Sequence, residues 1–118
     1  MSKIKKRVNI LNEISRERLN QEMKWGEQNW PCLDPEILSR PNCTPKRMTE
    51  EYGIPSEEVI KSSTDQKLKD ATVTYTDIAL EEFCEAVSEF DPMKRREELI
   101  QLAAVVVGWI EKIDRGNY

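Results

Sequence analysis

The stretch LEEFCEAVSEFDPMKRREELIQL, from Leu80 to Leu102, decides the fold of this chain. Asp91 and Pro92 divide it, because an Asp N-cap followed by a first-turn proline starts a helix. Apolar residues recur at helical spacing on both sides of this break. The stretch therefore predicts two antiparallel helices joined by a tight turn, which we call the acidic hairpin.

Start and stop signals outside the acidic hairpin indicate further helices. Thr74 and Asp77 form the pattern of a capping box, and Gly26 ends an N-terminal helix. Most of the prolines lie between these points, where Asp34 and Thr44 are each placed as an N-cap before a proline. The expected helices span residues 5–25, 57–69, 75–89 and 92–114, and residues 27–55 are expected to be irregular with short helical pieces.

Three segments are expected to supply the apolar core. The N-terminal helix has a stripe of Val8, Leu11, Ile14, Leu19 and Met23, and the first helix of the hairpin has a face of Ala79, Phe83, Ala86, Val87 and Phe90. The segment LAAVVVGWI, residues 102–110, is apolar all round. A helix without a polar face is buried on more than one side, which predicts a central position, a subunit interface, or both.

The composition predicts one soluble domain spanning residues 1–118. The net charge is −4, from 18 Lys and Arg against 22 Asp and Glu. This acidic balance argues against a nucleic-acid partner, which usually requires a basic surface. No apolar run is long enough to span a membrane, and the basic N-terminus lacks the apolar segment of an export signal. We therefore expect a cytoplasmic protein with no membrane partner.

The chain contains no histidine, which excludes several chemistries. Ser-His-Asp and Cys-His nucleophiles and histidine-ligated zinc all require that residue. The three cysteines, Cys32, Cys43 and Cys84, are odd in number and lack CxxC spacing, so neither a disulfide framework nor a zinc site is predicted. Any demanding chemistry must use carboxylates, lysine, arginine or cysteine.

The acidic residues of the hairpin have an informative register. Glu82 and Glu85 are neighbours on one helix face, and Glu98 and Gln101 have the same spacing on the next helix. In two antiparallel helices, residues at equal distances from the turn lie opposite each other. With the turn centred between residues 91 and 92, residue 82 therefore lies opposite residue 101, and residue 85 lies opposite residue 98. Four oxygen-bearing side chains are therefore expected at one level of the hairpin.

Three carboxylates and an amide at one level would repel each other strongly unless a cation lay between them. Mg²⁺ or Mn²⁺ fits this need, because both take oxygen ligands and are commonly shared between carboxylates and substrate phosphates. Such a site polarises a phosphoryl group and activates water without histidine. The sequence thus predicts Mg²⁺, or alternatively Mn²⁺, as a cofactor.

The same residues resemble the MazG-like family of all-α nucleoside triphosphate pyrophosphohydrolases, in a bacterial and phage branch. The hairpin carries EExxE at residues 81–85 and EELxx at residues 97–101, followed by an apolar helix. Two further strings, ISRERLNQEMKWGEQNWP at residues 14–31 and EELIQLAAVVVGWIEKI at residues 97–113, are similar to strings of that branch. The resemblance covers the first helix and the last two, with little between residues 32 and 69.

This resemblance implies an all-α, four-helix-bundle-like domain completed by dimerisation, as a homodimer or a dimer of dimers. It also implies that Glu82, Glu85, Glu98 and Gln101 hold the metal. Gln101 stands where the family usually has an aspartate, so it is a weaker, neutral ligand. The implied reaction cleaves a nucleoside triphosphate between its α and β phosphates, with water as nucleophile and Glu81, Glu82 and Glu85 as catalytic residues.

Cationic, aromatic and amide side chains complete the expected substrate site. Lys94 and Arg95, on the first turn of the last helix, or Lys24 are expected to meet the phosphates. Trp25 would stack on the base and Gln28 would bind its edge. The competing interpretation is that Trp25 closes the core and the amide caps the helix end.

Two other functions compete with the enzyme. The replacement of the fourth carboxylate by Gln101 favours a non-catalytic helical dimer that binds nucleotide or a protein partner. A helical adaptor with no ligand is the third hypothesis, and it predicts that neither metal nor nucleotide shifts the melting temperature.

Overall fold

The computed structural model describes residues 1–116 and 118, and in that part of the chain all regular secondary structure is helical. The prediction of an all-α fold is therefore confirmed. The six helices are α1 (Lys3–Trp25), α2 (Pro35–Leu38), α3 (Pro45–Glu51), α4 (Glu57–Lys69), α5 (Tyr75–Ser88) and α6 (Pro92–Asp114). Among the described residues, no helix combines the length and apolar character needed to cross a membrane.

Local capping chemistry sets the starts of the short helices in the proline-rich region. The Asp34 side chain accepts a hydrogen bond from the backbone N–H of Glu36, and Pro35 fills the first turn of α2. The Thr44 side chain likewise accepts a hydrogen bond from the backbone N–H of Arg47 and caps α3. Both N-caps were expected from the sequence, because a side-chain oxygen satisfies an N–H group that has no partner within the helix.

The predicted capping box at the start of α5 is present and is reinforced by a lysine. Asp77 accepts hydrogen bonds from the backbone N–H of Thr74 at 2.9 Å and from Lys67 Nζ at 2.6 Å. The Lys67 contact, together with the bonds from Thr74, lowers the pKa of Asp77 to about 2. Because Lys67 lies on α4, this ion pair ties the end of α4 to the start of α5.

Contacts between α carbons divide the chain into two compact units. The central unit comprises Leu33–Val105, and the terminal unit comprises Met1–Cys32 together with Val106–Tyr118. In the central unit α5 packs against both α3 and α4. Its core contains the buried side chains Leu33, Ile37 and Met48, with Cys43, Val87 and Phe90 packed around them.

The face that α5 buries differs from the expected one. Phe83 was expected in the core but is 43% exposed, whereas Cys84 and Ser88 are buried. A single apolar face at 100° per residue is expected when a helix packs on one neighbour. Because α5 contacts two helices, its buried surface extends around to positions that the apolar pattern alone does not predict.

The terminal unit buries much less apolar surface than the central unit. Within it, Ile10 of α1 and Val107 of α6 are buried, and Arg7 Nη2 contacts Glu111 Oε2 at 3.3 Å. The expected apolar stripe of α1 is exposed along its whole length. The segment of residues 102–110 was expected to be buried on more than one side, but Val107 is its one buried residue in this chain.

Candidate metal centre

The acidic hairpin brings three carboxylates together in the central unit. One carboxylate oxygen from each of Glu82, Glu85 and Glu98 lies within 4.8 Å of the others, and all three residues are partly buried. Glu82 and Glu85 are one turn apart on α5, and Glu98 lies on α6. The sequence predicted that these three residues lie at one level of the hairpin, and the structure brings them together. We call them the glutamate cluster.

The turn between α5 and α6 is fixed by two polar side chains. Asp91 Oδ1 accepts hydrogen bonds from the N–H groups of Met93 at 2.9 Å and Lys94 at 3.2 Å, which caps α6. Arg95 donates from Nε to the Glu89 carbonyl at 2.9 Å and from Nη2 to the Phe90 carbonyl at 3.2 Å. These bonds satisfy groups at both helix ends and hold the two halves of the glutamate cluster in register.

Burial and repulsion between neighbouring carboxylates both disfavour the ionised form of the glutamate cluster. Burial, a hydrogen bond with Glu98 and the charge of Glu82 raise the pKa of Glu85 to about 8. Burial and the charge of Glu98 also raise the pKa of Glu82. A carboxyl with a pKa near 8 keeps its proton at pH 7, so the metal-free cluster retains at least one proton there.

Two buried oxygens of the glutamate cluster lack a partner. Glu82 Oε2 and Glu98 Oε2 are both buried, and neither accepts a hydrogen bond from any residue that the structure describes. A buried carboxylate oxygen without a donor is costly, and a divalent cation satisfies several such oxygens at once. The donor set is entirely oxygen, which suits hard cations such as Mg²⁺, Mn²⁺ or Ca²⁺. The cluster could therefore hold a metal ion.

The two remaining residues of the predicted acidic site lie at its edge. Glu81 is partly buried on α5, and its negative charge contributes to the raised pKa of both Glu82 and Glu85. Gln101 lies on α6 with an exposed side chain, three residues beyond Glu98. The roles of Glu81 in catalysis and of Gln101 as a ligand stay predictions.

Three of the predicted substrate residues lie together on the terminal unit. Lys24, Trp25 and Gln28 line a hollow of about 330 Å³, and Lys24 Nζ lies 4.9 Å from the centre of the Trp25 ring. Trp25 is 62% exposed, so the interpretation that this ring closes the core is wrong. An exposed ring beside a cation is compatible with base stacking, but the hollow belongs to a different unit from the glutamate cluster.

The two predicted phosphate-binding residues of α6 differ in their surroundings. Lys94 is exposed on the first turn of the helix. Arg95 uses two of its nitrogens to bind the backbone carbonyls at the end of α5, so it positions the turn. The sequence predicted a phosphate ligand at Arg95 but did not predict this bond to the preceding helix. The sequence signal for this bond is a basic side chain just after an Asp-Pro turn. Such a side chain lies close to the last carbonyl groups of the preceding helix, which have no partner within that helix.

The buried cysteine of α5 is not suited to nucleophilic chemistry. Cys84 is fully buried, and burial together with the charges of Glu57 and Glu81 raises the pKa of its thiol. A protonated, inaccessible thiol is a poor nucleophile. The chemistry of this region therefore depends on the carboxylates.

Comparisons with known proteins give no independent assignment. No family model, curated protein or solved structure matches this chain. The MazG-like resemblance stays a prediction, and the case for a function depends on the chemistry of the glutamate cluster.

Proposed function

We propose that this protein is a divalent-metal-dependent nucleoside triphosphate pyrophosphohydrolase. It would convert a ribo- or deoxyribonucleoside triphosphate and water into the monophosphate and pyrophosphate. Glu82, Glu85 and Glu98 would hold Mg²⁺ or Mn²⁺, with Gln101 as a weaker ligand. The resemblance of the acidic hairpin to MazG-like proteins supports the choice of substrate class.

The observation that carries this proposal is the glutamate cluster with its two unpartnered buried oxygens. Ordinary surface glutamates are solvated and keep their usual pKa values, whereas burial and mutual repulsion here raise the pKa of Glu85 to about 8. Groups with strongly perturbed pKa values concentrate at functional sites. Burial and the neighbouring acidic groups both raise this pKa, and a cation held between the carboxylates would offset both effects.

The chain's own residues divide the remaining work. When bound, the metal supplies Lewis-acid polarisation of the phosphate oxygens and lowers the pKa of water. Glu81, at the edge of the cluster, orients the attacking water by accepting its hydrogen bond. Lys94 would bind the phosphates from the first turn of α6, while Arg95 keeps the hairpin turn in place.

A release assay tests this proposal directly. Purified protein is incubated with a panel of ribo- and deoxyribonucleoside triphosphates and either Mg²⁺ or Mn²⁺, and released pyrophosphate is measured. We expect release from at least one substrate and its loss in Glu82→Gln. The matched control is Glu97→Gln, because Glu97 is exposed on α6 directly beside Glu98 and stands outside the cluster.

One sequence feature favours a second function. Gln101 replaces the aspartate that the family usually has, so a non-catalytic protein that binds metal and nucleotide is the alternative. In that case metal and nucleotide would raise the melting temperature, and no pyrophosphate would be released from any member of the panel. Release that depends on Glu82 would exclude this alternative.

A further inference from the structure

Helix α1 and the last turn of α6 border a cavity within the terminal unit. Its volume is about 840 Å³, which lies in the range of about 300–1,000 Å³ that is typical of small-molecule sites. Ile10 contributes apolar surface to its wall, and Asn9 contributes an amide. All the residues that line the cavity belong to the terminal unit, so its walls are defined without reference to the central unit.

Cationic side chains are the largest charged group in the lining. Lys3 and Lys6 lie one turn apart on one face of α1, and Arg115 directly follows α6. Arg16 lies about 15 Å from Lys6 along the axis of α1, at 1.5 Å per residue. Within the described part of the chain, none of these four side chains forms an ion pair. Four unpaired cations therefore line one cavity of a chain whose net charge is −4.

Three acidic side chains share the lining, and one of them is already paired. Glu111 accepts hydrogen bonds from Arg7 Nη2 at 3.3 Å and from Arg7 Nε at 3.4 Å. Glu13 and Asp114 form no ion pair with any residue that the structure describes. The unpaired charges of the lining are therefore four positive and two negative. Such a wall attracts an anion and still offers acceptors to hydroxyl groups of the same molecule.

We propose that this cavity binds a small organic phosphate that carries hydroxyl groups. The phosphate pairs with Lys3, Lys6 and Arg115, because lysine and arginine form charge-assisted hydrogen bonds with phosphate oxygens. A hydroxyl group donates a hydrogen bond to Glu13, and the carbon skeleton contacts Ile10, one turn away on α1. Nucleoside monophosphates and sugar phosphates share this chemistry, and the choice of probes distinguishes them.

The proposed phosphate site is separate from the glutamate cluster and requires no metal ion. Its residues belong to the terminal unit, whereas the glutamate cluster belongs to the central unit. Without a metal, the carboxylates of the glutamate cluster repel anions. Phosphate binding in metal-free buffer therefore reports on the cavity, and its success or failure is independent of the pyrophosphate-release assay.

Calorimetric titration of the full chain in metal-free buffer tests the proposal. The probes are adenosine monophosphate, ribose 5-phosphate, adenosine and inorganic phosphate. We expect at least one of the two organic phosphates to bind with a dissociation constant below about 1 mM, and adenosine and inorganic phosphate to bind at least about tenfold more weakly. Binding of neither organic phosphate would overturn the proposal. Equal affinity for inorganic phosphate or for adenosine would also overturn it, because one part of the ligand would then contribute nothing.

Two matched charge variants locate the site. Lys6→Gln combined with Arg115→Gln removes two cations of the cavity, and we expect the dissociation constant of the organic phosphate to rise about tenfold or more. The control is Lys61→Gln combined with Lys69→Gln on α4. All four positions are exposed, so both variants should fold, and both change the net charge equally. Equal weakening by both variants, or by neither, would contradict the proposal.

A substitution of Glu13 tests whether the hydroxyl group is recognised. Glu13→Met removes a negative charge and a hydrogen-bond acceptor at an exposed position of α1. We expect the dissociation constant of the organic phosphate to rise about fivefold or more, because its hydroxyl group loses an acceptor. Inorganic phosphate should bind as before or more tightly, because a repulsive charge is removed. Tighter binding of both probes would show that the cavity attracts any anion, which would overturn the proposal.

Discussion

The two units of this chain differ in chemistry: one contains buried carboxylates, and the other presents exposed apolar side chains. The central unit has a buried core around Met48, capped helices, and two buried carboxylate oxygens that accept no hydrogen bond from the described residues. The terminal unit has few buried residues and an exposed apolar stripe along α1. The central unit thus holds carboxylates that a cation could satisfy, and the terminal unit presents apolar side chains on α1.

These two kinds of group are stabilised by different contacts. A cation satisfies unpaired buried carboxylates but does nothing for an exposed leucine. A second protein surface covers apolar side chains but does not neutralise a glutamate cluster. Substitutions in each unit should therefore have distinct signatures, and the following predictions test whether the separation holds.

The largest expected effect on stability lies in the core of the central unit. Met48 is fully buried, and Met48→Ala should lower the free energy of unfolding by about 2–5 kcal/mol, from lost burial and the cavity left behind. Chemical denaturation measures this change. Leu68→Ala is the control on α4, because Leu68 is exposed and should change stability by less than about 0.5 kcal/mol. A small effect at Met48 would place the core elsewhere.

Removal of one carboxylate from the glutamate cluster should have opposite effects on metal binding and on the metal-free protein. Glu98→Gln should weaken binding of Mn²⁺ about 100-fold or more, since a ligand is lost. The same change should leave the metal-free melting temperature unchanged or higher, because it relieves repulsion of Glu85 and Glu82. Calorimetric titration and thermal unfolding measure the two effects. A destabilised metal-free variant would contradict the repulsion.

The metal-free protein should lose stability as pH rises from about 4.5 to about 8. The pKa of Glu85 is about 8 in the folded protein, against the ordinary glutamate pKa of 4.5 in the unfolded chain. The folded state therefore holds a proton that the unfolded state releases, and this contribution is complete below pH 4.5 and lost above pH 8. We expect the melting temperature to fall by several degrees across this range.

Two comparisons isolate this pH effect. Excess Mg²⁺ should abolish or reverse the trend, because the metal replaces the proton. Asp77 does not contribute in this window, because its pKa is lowered to about 2 and its stabilisation is lost only at acidic pH. A melting temperature that rises between pH 4.5 and 8 without metal would contradict the raised pKa of Glu85.

The smallest predicted effect concerns the capping box of α5. Thr74→Ala should lower the free energy of unfolding by about 1 kcal/mol, because the N–H of Asp77 loses its acceptor. Thr76→Ala, on the exposed side of the same first turn, should be neutral or slightly stabilising. Equal effects of the two substitutions would show that the cap does not contribute.

Local signals in the sequence were sufficient to predict the helices and the grouping of the three residues of the glutamate cluster. Side-chain N-caps such as Asp34 and Thr44 act within three residues, so their patterns can be interpreted without tertiary information. The register of Glu82, Glu85 and Glu98 followed from one turn of known position, because two helices joined by a tight turn must be antiparallel neighbours.

Features that depend on long-range packing were not predicted. The exposure of Phe83 and the burial of Cys84 follow from the contact of α5 with two helices. The exposure of Val8, Leu11 and Leu19 depends on what packs against α1, which a periodic apolar pattern does not specify. The bonds of Arg95 to the end of α5 require the geometry of the turn.

Calorimetric titration of the full chain with Mn²⁺ tests the central claim most directly. If the glutamate cluster is a metal site, about one ion per chain should bind with release of the proton held at Glu85, so the measured heat should depend on the ionisation enthalpy of the buffer. Glu97→Gln should bind as the unmodified protein does, whereas Glu98→Gln should lose most of this binding. Absence of binding, or equal binding by both variants, would contradict the assignment.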